Sequence, residues 1–559
     1  MHERDASSTA RLRPRVLLVF PLFNPNSFWN FKEACELYGA KCVAPPLGLT
    51  TLAALLPESW NLRLIDRNAQ ELKDEDILWA DLVLTGGMLP QQYDTLAVID
   101  RCHRLGRPVC LGGPDPTSNP DVYGEADFLV LGEAEGIIGR FVEAWEAGER
   151  SGRFDAEKFK ANVAESPIPR FDLIRFKDYL YVGVQFSRGC PFTCEFCDII
   201  ELYGRVPRTK TNEQMLAELD RLLSLGYRGH VDFVDDNLIG NKKAIKKFLP
   251  ELIRWQLRNG YPFQFSTEAS LNLADDAELL TMMSEANFFV VFTGIESPDQ
   301  ETLVAMQKKQ NTRRSITESV ERIYAAGIYV TAGFIVGFDT ERGDMAAPMI
   351  DCVQDSNIPV AMVGLLHALP NTQLMRRLKR EGRLFEGYNV APAEAGDQCT
   401  GGLNFTTLRP RAEILKDYRR VIEEIYAPKA FFERARTMAR KLKRRPLGVQ
   451  PPPRVIMQEL KVLLSACRRM TLQRPEIARY FWATLIDCFR HNPAALEAAM
   501  MNMVLYLHLY PFSRHVIAEL DARIAEIERG TWRAPATMPA EAEAPPVGLA
   551  SLLPQAANA

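Results

Sequence analysis

Over its first two-thirds the chain alternates short apolar runs with amphipathic stretches, and beyond that the pattern is helical. Apolar runs at 15–20, 62–66, 82–85, 109–111 and 128–131 are too short for buried helices and predict buried strands. Segments 47–56, entered through Pro45-Pro46, and 135–147 predict helices. Strands alternating with helices predict a doubly wound parallel sheet over 15–148, with ligands at the strands' carboxyl ends. Residues 149–180, rich in glycine and charge and then in proline, predict a linker. A second alternation fills 181–400, with strands predicted at 182–186, 230–234, 263–267, 289–293, 329–335 and 360–366. Intervening segments such as 213–225 and 314–326 carry apolar residues at helical spacing. Six such units are too few for a closed eight-stranded barrel and suit an open one with its site at the C-terminal rim. Residues 401–530 predict a helical domain, with 411–426 amphipathic and entered through Pro410. Residues 498–510, with Met500, Met501 and Met503, predict a core helix, a lipid-facing or substrate-tunnel surface being the alternative. Alanine- and proline-rich 531–559 predict a disordered tail. The expected class is α/β: a Rossmann-like sheet domain, a partial (β/α)6 barrel and a helical C-terminal domain.

Composition narrows this. A chain of 559 residues holds three or four domains. A net charge of −4 gives no global basic field for nucleic acid, and the basic run at 434–445 reads as a solvated helix face. Eleven cysteines, an odd number scattered along the chain, do not form a disulfide framework and point to a reducing, cytoplasmic setting. Residues 1–14 contain no apolar leader core, and no apolar run reaches the ~18 residues of a spanning helix.

The chemistry concentrates at 187–197, where Cys190, Cys194 and Cys197 stand at C-x-x-x-C-x-x-C directly after a predicted strand. A loop that turns three thiolates to one point suits a cubane iron–sulfur cluster and leaves one of its four irons open to a small molecule. Zinc usually takes two C-x-x-C pairs, and no second pair is present; chance clustering of buried thiols is the remaining alternative.

The spacing, the preceding strand and Phe196 before the last cysteine resemble the radical S-adenosylmethionine (SAM) superfamily. That resemblance implies a 4Fe–4S cluster on Cys190, Cys194 and Cys197, with SAM chelated at the open iron and cleaved to a 5′-deoxyadenosyl radical. It implies SAM contacts at Phe196, Asp235, Asp236, Ser266, Glu268, Gly294, Glu296 and Ile335, all at predicted strand ends or in the cysteine loop. Arg205, Arg208 and Lys210 reach either cofactor polar groups or the surface. The runs Pro45-Pro46-Leu47-Gly48-Leu49 and Gly132-Glu133-Ala134-Glu135 resemble the cobalamin-binding domain of cobalamin-dependent relatives. They imply a site formed by Asn24, Asn26, Trp29, Gly48, Gly86, Gly87, Gly112, Gly113, Gly132, Glu133 and Glu135. The D-x-H-x-x-G histidine of many cobalamin domains is missing; Asp100-Arg101-Cys102-His103 is a near miss, and His103 reads as a surface residue. Cobalamin is therefore expected without a histidine ligand.

The C-terminal block resembles the helical domain appended to hopanoid C-2 methylase-like proteins. Together these imply a C-methyltransferase acting on an unactivated carbon of an isoprenoid, lipid-like or natural-product small molecule. An external flavodoxin- or ferredoxin-type electron donor is implied, with no nucleic acid, no transmembrane segment and peripheral membrane contact left open. A rearrangement or cyclisation without methyl transfer and a non-catalytic cobalamin sensor are the alternatives.

Overall fold

The structure, a computed structural model, describes residues 13–390, 399–446, 448 and 453–540. The first apolar runs become β1 (Arg15–Phe20), β2 (Asn61–Asp66), β3 (Leu82–Gly86), β4 (Val109–Gly112) and β5 (Phe128–Leu131). Val16, Leu17, Leu18 and Val19 of β1 are fully buried, because a parallel sheet is covered on both faces. Helix α1 (Lys32–Tyr38) lies in the β1–β2 crossover. A sixth strand, β6 (Gly152–Asp155), pairs with β5 inside the stretch expected to be linker. Of its residues only Phe154 is buried; an edge strand with one apolar side chain gives almost no apolar run to read. The order β2-β1-β3-β4-β5-β6 reverses beside β1, where a doubly wound sheet opens its ligand crevice.

The second sheet holds β7 (Val182–Val184), β10 (Gly229–Phe233), β11 (Phe263–Glu268), β12 (Phe288–Glu296), β13 (Tyr329–Val336) and β14 (Ala361–Leu365). All its pairs are parallel, in the order β14-β13-β12-β11-β10-β7, and β7 does not meet β14, so the barrel is open. Val231, Phe233, Phe263 and Phe265 are buried against its covering helices, while His230, Asp232, Ser266 and Glu268 alternate with them toward the inside. A short antiparallel pair, β8 (Ser187–Arg188) with β9 (Arg208–Thr209), brackets the cysteine loop.

Five longer helices complete the chain: α2 (Arg411–Ile425), α3 (Pro428–Lys441), α4 (Pro453–Arg468), α5 (Pro475–His491) and α6 (Leu496–Glu528). In α6, Ala499, Met503, Tyr506 and Leu509 are buried, the expected core helix. Among the described residues no helix is long and apolar enough to cross a membrane. Two expectations need correction. Arg434 is not solvated: it is buried and donates to the Ile358 carbonyl (2.8 Å) and the Ile425 carbonyl (2.6 Å). Nor is the segment after α6 disordered throughout, since the Glu386 amide donates to the Ala536 carbonyl and the Met538 amide to the Leu384 carbonyl, both at 2.8 Å. Residues 541–559 of the expected tail, and much of the proline-rich 446–453, lie outside the described residues.

Candidate active site

The cysteine loop is shaped by a carboxylate and a glycine. Buried Asp235, just after β10, accepts from the Phe186 amide (2.9 Å) and from the Ser187 amide and hydroxyl. That capture takes the chain out of the sheet after Val184, which is why β7 is shorter than predicted. Gly189 has φ +97°, and a Cβ there would lie 2.9 Å from the Gly204 carbonyl oxygen, so only glycine lets the loop close. The Cys190 amide then donates to Gly204 O (3.2 Å). Each thiol has its own donors. Asn237 Nδ2 is 3.8 Å from Cys190 Sγ and Gln310 Nε2 is 3.8 Å from Cys194 Sγ. The Lys308 ammonium faces Cys194, and the Ile199 amide faces Cys197. Burial pushes all three thiols up, and these donors oppose it. Donors aimed at sulfur suit thiolates bound to irons and tune such a cluster. Among the described residues no three His, Cys, Asp or Glu close on a single ion; a cubane asks for less convergence, because each thiolate takes its own iron.

At the barrel rim the two expected acids divide their tasks. Asp235 is used by the loop, whereas Asp236 borders the cavity and its buried Oδ2 has no hydrogen-bond partner. Burial, then the neighbouring Asp235 and Asp198 carboxylates, raises Asp236 to about 7. Glu268 opens onto the barrel interior, where burial and the charges of Asp236 and Asp232 raise it to about 8. Ser266 is already engaged, donating to Asp232 and standing 2.5 Å from His230 Nε2. Burial lifts Asp232 to about 6 and lowers His230 to about 3. Lys308 is already paired with Glu296, so the remaining carboxylates of this acid-rich interior suit a ligand carrying ammonium and sulfonium charge. Glu296 is ion-paired with Lys308, whose Nζ also stands 5.8 Å from the Phe196 ring. A Cβ on Gly294 would strike both members of that pair. Phe196 packs edge-on against Phe338, and Ile335 is half-buried on β13.

Across from this rim, Gly86, Gly87, Gly112, Gly113 and Gly132 at the ends of β3, β4 and β5 border a cavity of about 1670 Å³. A Cβ on Gly86 would fall on the Gly112 carbonyl, and one on Gly87 would lie 2.7 Å from Gln91 Oε1. The floor is bare backbone, which fits a broad flat ligand. Gly48, Asn26 and Trp29 border the same cavity. Asn24 does not; its Oδ1 accepts from the Asn26 amide at 2.9 Å and closes a turn.

Glu133 and Glu135 reach the cavity but are already engaged. Arg188, one residue before Gly189, donates to Glu135 at 2.7 Å and to Glu133 at 3.1 Å, and Arg208 meets Glu133 at 2.8 Å. Burial disfavours the Arg188 charge, but the two carboxylates override it and raise its pKa. Lys210 pairs with buried Glu218, and Arg205 is exposed. His103, one-third exposed, bonds Asp127 at 2.9 Å.

Residues that sequence reading did not single out include Lys308, Gln310 and Arg188, which lie far in sequence from the groups they serve. His367, His508 and His515 border the cavity as well. His508 Nδ1 is 3.2 Å from Glu33 and its Nε2 is 3.1 Å from the Ser27 carbonyl, tying α6 to the Trp29 loop.

An open six-stranded parallel barrel with this cysteine loop, facing a glycine-edged parallel sheet across one cavity, is the arrangement of a radical SAM enzyme that carries a second, parallel-sheet domain. Residues 184–353 match the radical SAM superfamily, and residues 372–522 match a domain of unknown function, DUF4070. The chain is 35% identical over 518 residues to the hopanoid C-2 methylase of Rhodopseudomonas palustris, covering 91% of this chain and 95% of that protein. It is 43% identical over 493 residues to an uncharacterized methyltransferase of Synechocystis sp., covering 86% and 89%. Its fold superposes with a TM-score of 0.56, at 14% identity, on the cobalamin-dependent S-adenosylmethionine radical enzyme OxsB solved with aqua-cobalamin and S-adenosylmethionine, over 93% of this chain and 81% of that one. The chain belongs to the family of hopanoid C-2 methylase and carries its radical SAM domain at 184–353.

Proposed function

We propose that this enzyme methylates an unactivated carbon of a hydrophobic, isoprenoid-like natural product. The observation that carries the reading is one cavity bordered by residues that flank the cysteine loop (Arg188, Asp198 and Ile199), by Asp236 of the acidic rim, and by the glycine floor. Its volume of about 1670 Å³ exceeds the roughly 300–1,000 Å³ of a single small-ligand pocket and accommodates a flat macrocycle together with a substrate. Much of its wall is apolar, with Leu49, Leu52, Leu84, Ile138, Leu202 and Phe512 among its residues.

When bound, the cluster with SAM supplies a hydrogen-abstracting radical and the corrinoid supplies a methyl group. The chain's own residues position and shield. Cys190, Cys194 and Cys197 would hold three irons, with Asn237, Gln310 and Lys308 stabilising the sulfurs' negative charge. Asp236 would receive the SAM ammonium, and the carboxyl of Glu268 and the hydroxyl of Ser266 would face its polar end. Gly294 keeps space clear over the Glu296–Lys308 pair, while Phe196 and Ile335 give apolar contact. Gly48, Gly86, Gly87, Gly112, Gly113 and Gly132 would seat the corrinoid, with Asn26 and Trp29 beside it and no histidine offered by their loop. Glu133 and Glu135 act through Arg188, holding the cysteine loop against the sheet. The apolar wall keeps water from the reacting carbon.

Cys190, Cys194 and Cys197 are free thiols, which suits a reducing cytoplasm and an external flavodoxin- or ferredoxin-type donor. Protein reconstituted without oxygen, given SAM, cobalamin, a reductant and a hopanoid-type substrate, should form 5′-deoxyadenosine and a product heavier by one methylene. Formation of 5′-deoxyadenosine with a product of unchanged carbon count would replace methylation by rearrangement. No 5′-deoxyadenosine at all would remove the radical reading.

A further inference from the structure

Helix α5 carries apolar residues on two separate faces, and its buried core face accounts for only one of them. One face is accounted for: Ile477, Phe481, Thr484, Leu485 and Cys488 are buried in the helical domain. The other face is bare. Trp482, Ile486 and Phe489 are exposed at i, i+4 and i+7, with Phe489 at 58%. Helix α4 repeats the arrangement with Met457, Leu460 and Leu464 at i, i+3 and i+7, Leu464 being 62% exposed. The turn between the helices adds Leu472, at 71%. Trp482 Nε1 donates to the Thr471 hydroxyl (3.0 Å), so the turn and the α5 stripe are neighbours. Solvent-facing apolar residues scattered singly are ordinary; a run of seven large ones at helical spacing is not.

Charge identifies the occupant. Residues 428–491 carry fifteen lysines and arginines against four acids, in a chain whose net charge is −4; Arg434 is buried, and Arg440, Lys441, Arg445 and Arg469 are ion-paired. Lys461, Arg468, Arg479 and Arg490 are exposed beside the apolar stripes. At the α3–α5 junction a cleft of about 420 Å³ is bordered by three cations, Lys429, Arg436 and Arg479, against one acid, Glu433, with Tyr480 beside them, a balance suited to a phosphate-bearing headgroup. Apolar anchors rimmed by cations are the composition of helices that lie in the interface of an anionic bilayer. Nucleic acid accounts for the cations but not for Leu464, Ile486 and Phe489. We propose that the α4–α5 face docks this enzyme on the surface of an anionic phospholipid membrane, with the cleft receiving one headgroup. The proposal is independent of the reaction catalysed in the cavity.

The test is flotation of the full chain with vesicles of phosphatidylglycerol and phosphatidylcholine in equal parts, against phosphatidylcholine alone. The protein should float with the anionic vesicles at low salt, far less with the neutral ones, and be released near 1 M salt, where the Debye length falls to ~3 Å. The double substitution Leu464→Glu and Phe489→Glu should weaken vesicle affinity by about tenfold or more. Both sites are exposed, so circular dichroism and the thermal midpoint should match the parent. Arg436→Glu with Arg479→Glu should abolish the preference for anionic over neutral vesicles. Failure to float, or a Leu464/Phe489 variant that floats like the parent, overturns the proposal. So does a dimer in sedimentation that these substitutions dissolve, or tight binding of an RNA duplex without vesicle binding.

Discussion

Replacing Glu135 by glutamine tests whether the bridge between the first sheet and the cysteine loop holds the two together. The side chains of Glu135 and Arg188 are only 6% and 12% exposed, so the pair is little screened by solvent. Burial alone would raise the Glu135 carboxyl, but the hydrogen bond and charge of Arg188, with the Ser166 hydroxyl, hold it at about 2. Against an ordinary glutamate near 4.3 that difference is worth about 3 kcal/mol at neutral pH. Because the folded value lies below the unfolded one, this stability is complete above about pH 4.3 and disappears as pH falls toward 2. Glutamine keeps the shape and removes the charge, leaving Arg188 with Glu133 alone. The expected loss is roughly 2–3 kcal/mol at neutral pH, the low end of breaking a buried pair. The assay is the first urea transition of parent and variant, followed from neutral to about pH 3, since a chain of several domains need not unfold in one step. The two curves should converge as the pH drops. Equal stability at neutral pH, or a gap that persists unchanged in acid, would refute the reasoning. Iron content after reconstitution is a second readout, because Arg188 stands two residues before Cys190, and it should fall in the variant.

Three further substitutions separate the parts of the site. Gly189→Ala forces a side chain into a left-handed backbone, at ~1–2 kcal/mol, and against the Gly204 carbonyl; iron bound per chain should drop while overall helicity stays. Gly86→Ala puts a methyl on the Gly112 carbonyl, so cobalamin absorbance should be lost from purified protein that still binds iron. Asp236→Asn should raise the KM for SAM about tenfold, ~1.4 kcal/mol, with iron content intact, whereas Asp235→Asn should lower iron content, because that carboxylate shapes the loop. With Asp236 near 7 in the free protein, parent affinity for SAM should increase as pH rises through neutrality and Asp236 ionises; the Asn variant should lose that increase.

The readable parts of this protein were those with a local signature. Buried parallel strands write themselves as uninterrupted apolar runs, so β1 to β5 and the six barrel strands stood out. The C-x-x-x-C-x-x-C spacing is equally local, because one loop must supply three thiolates. What did not show were groups whose partners are distant in the chain. Arg188 meets Glu135 across 53 positions, and Gln310 reaches Cys194 across 116; neither leaves a trace in its own neighbourhood. Strand β6 was hidden for the opposite reason, an edge position that needs only Phe154 to be apolar. Asp235 and Asp236 looked equivalent as a sequence pair, yet alternation on the strand end sends one to the Phe186–Ser187 amides and the other to the cavity.

The pairing of 536–538 with 384–386 bears on how the protein is made. Phe385 and Tyr388 border the cavity, as do Trp532 and Pro535. At ~5–20 residues per second, the ribosome delivers the second half of this seam on the order of ten seconds after the first. Throughout that interval the barrel strands are already out while one side of the chamber still lacks its closing strap. Bulky prosthetic groups therefore meet a chamber with one wall missing during synthesis and with that wall in place afterwards.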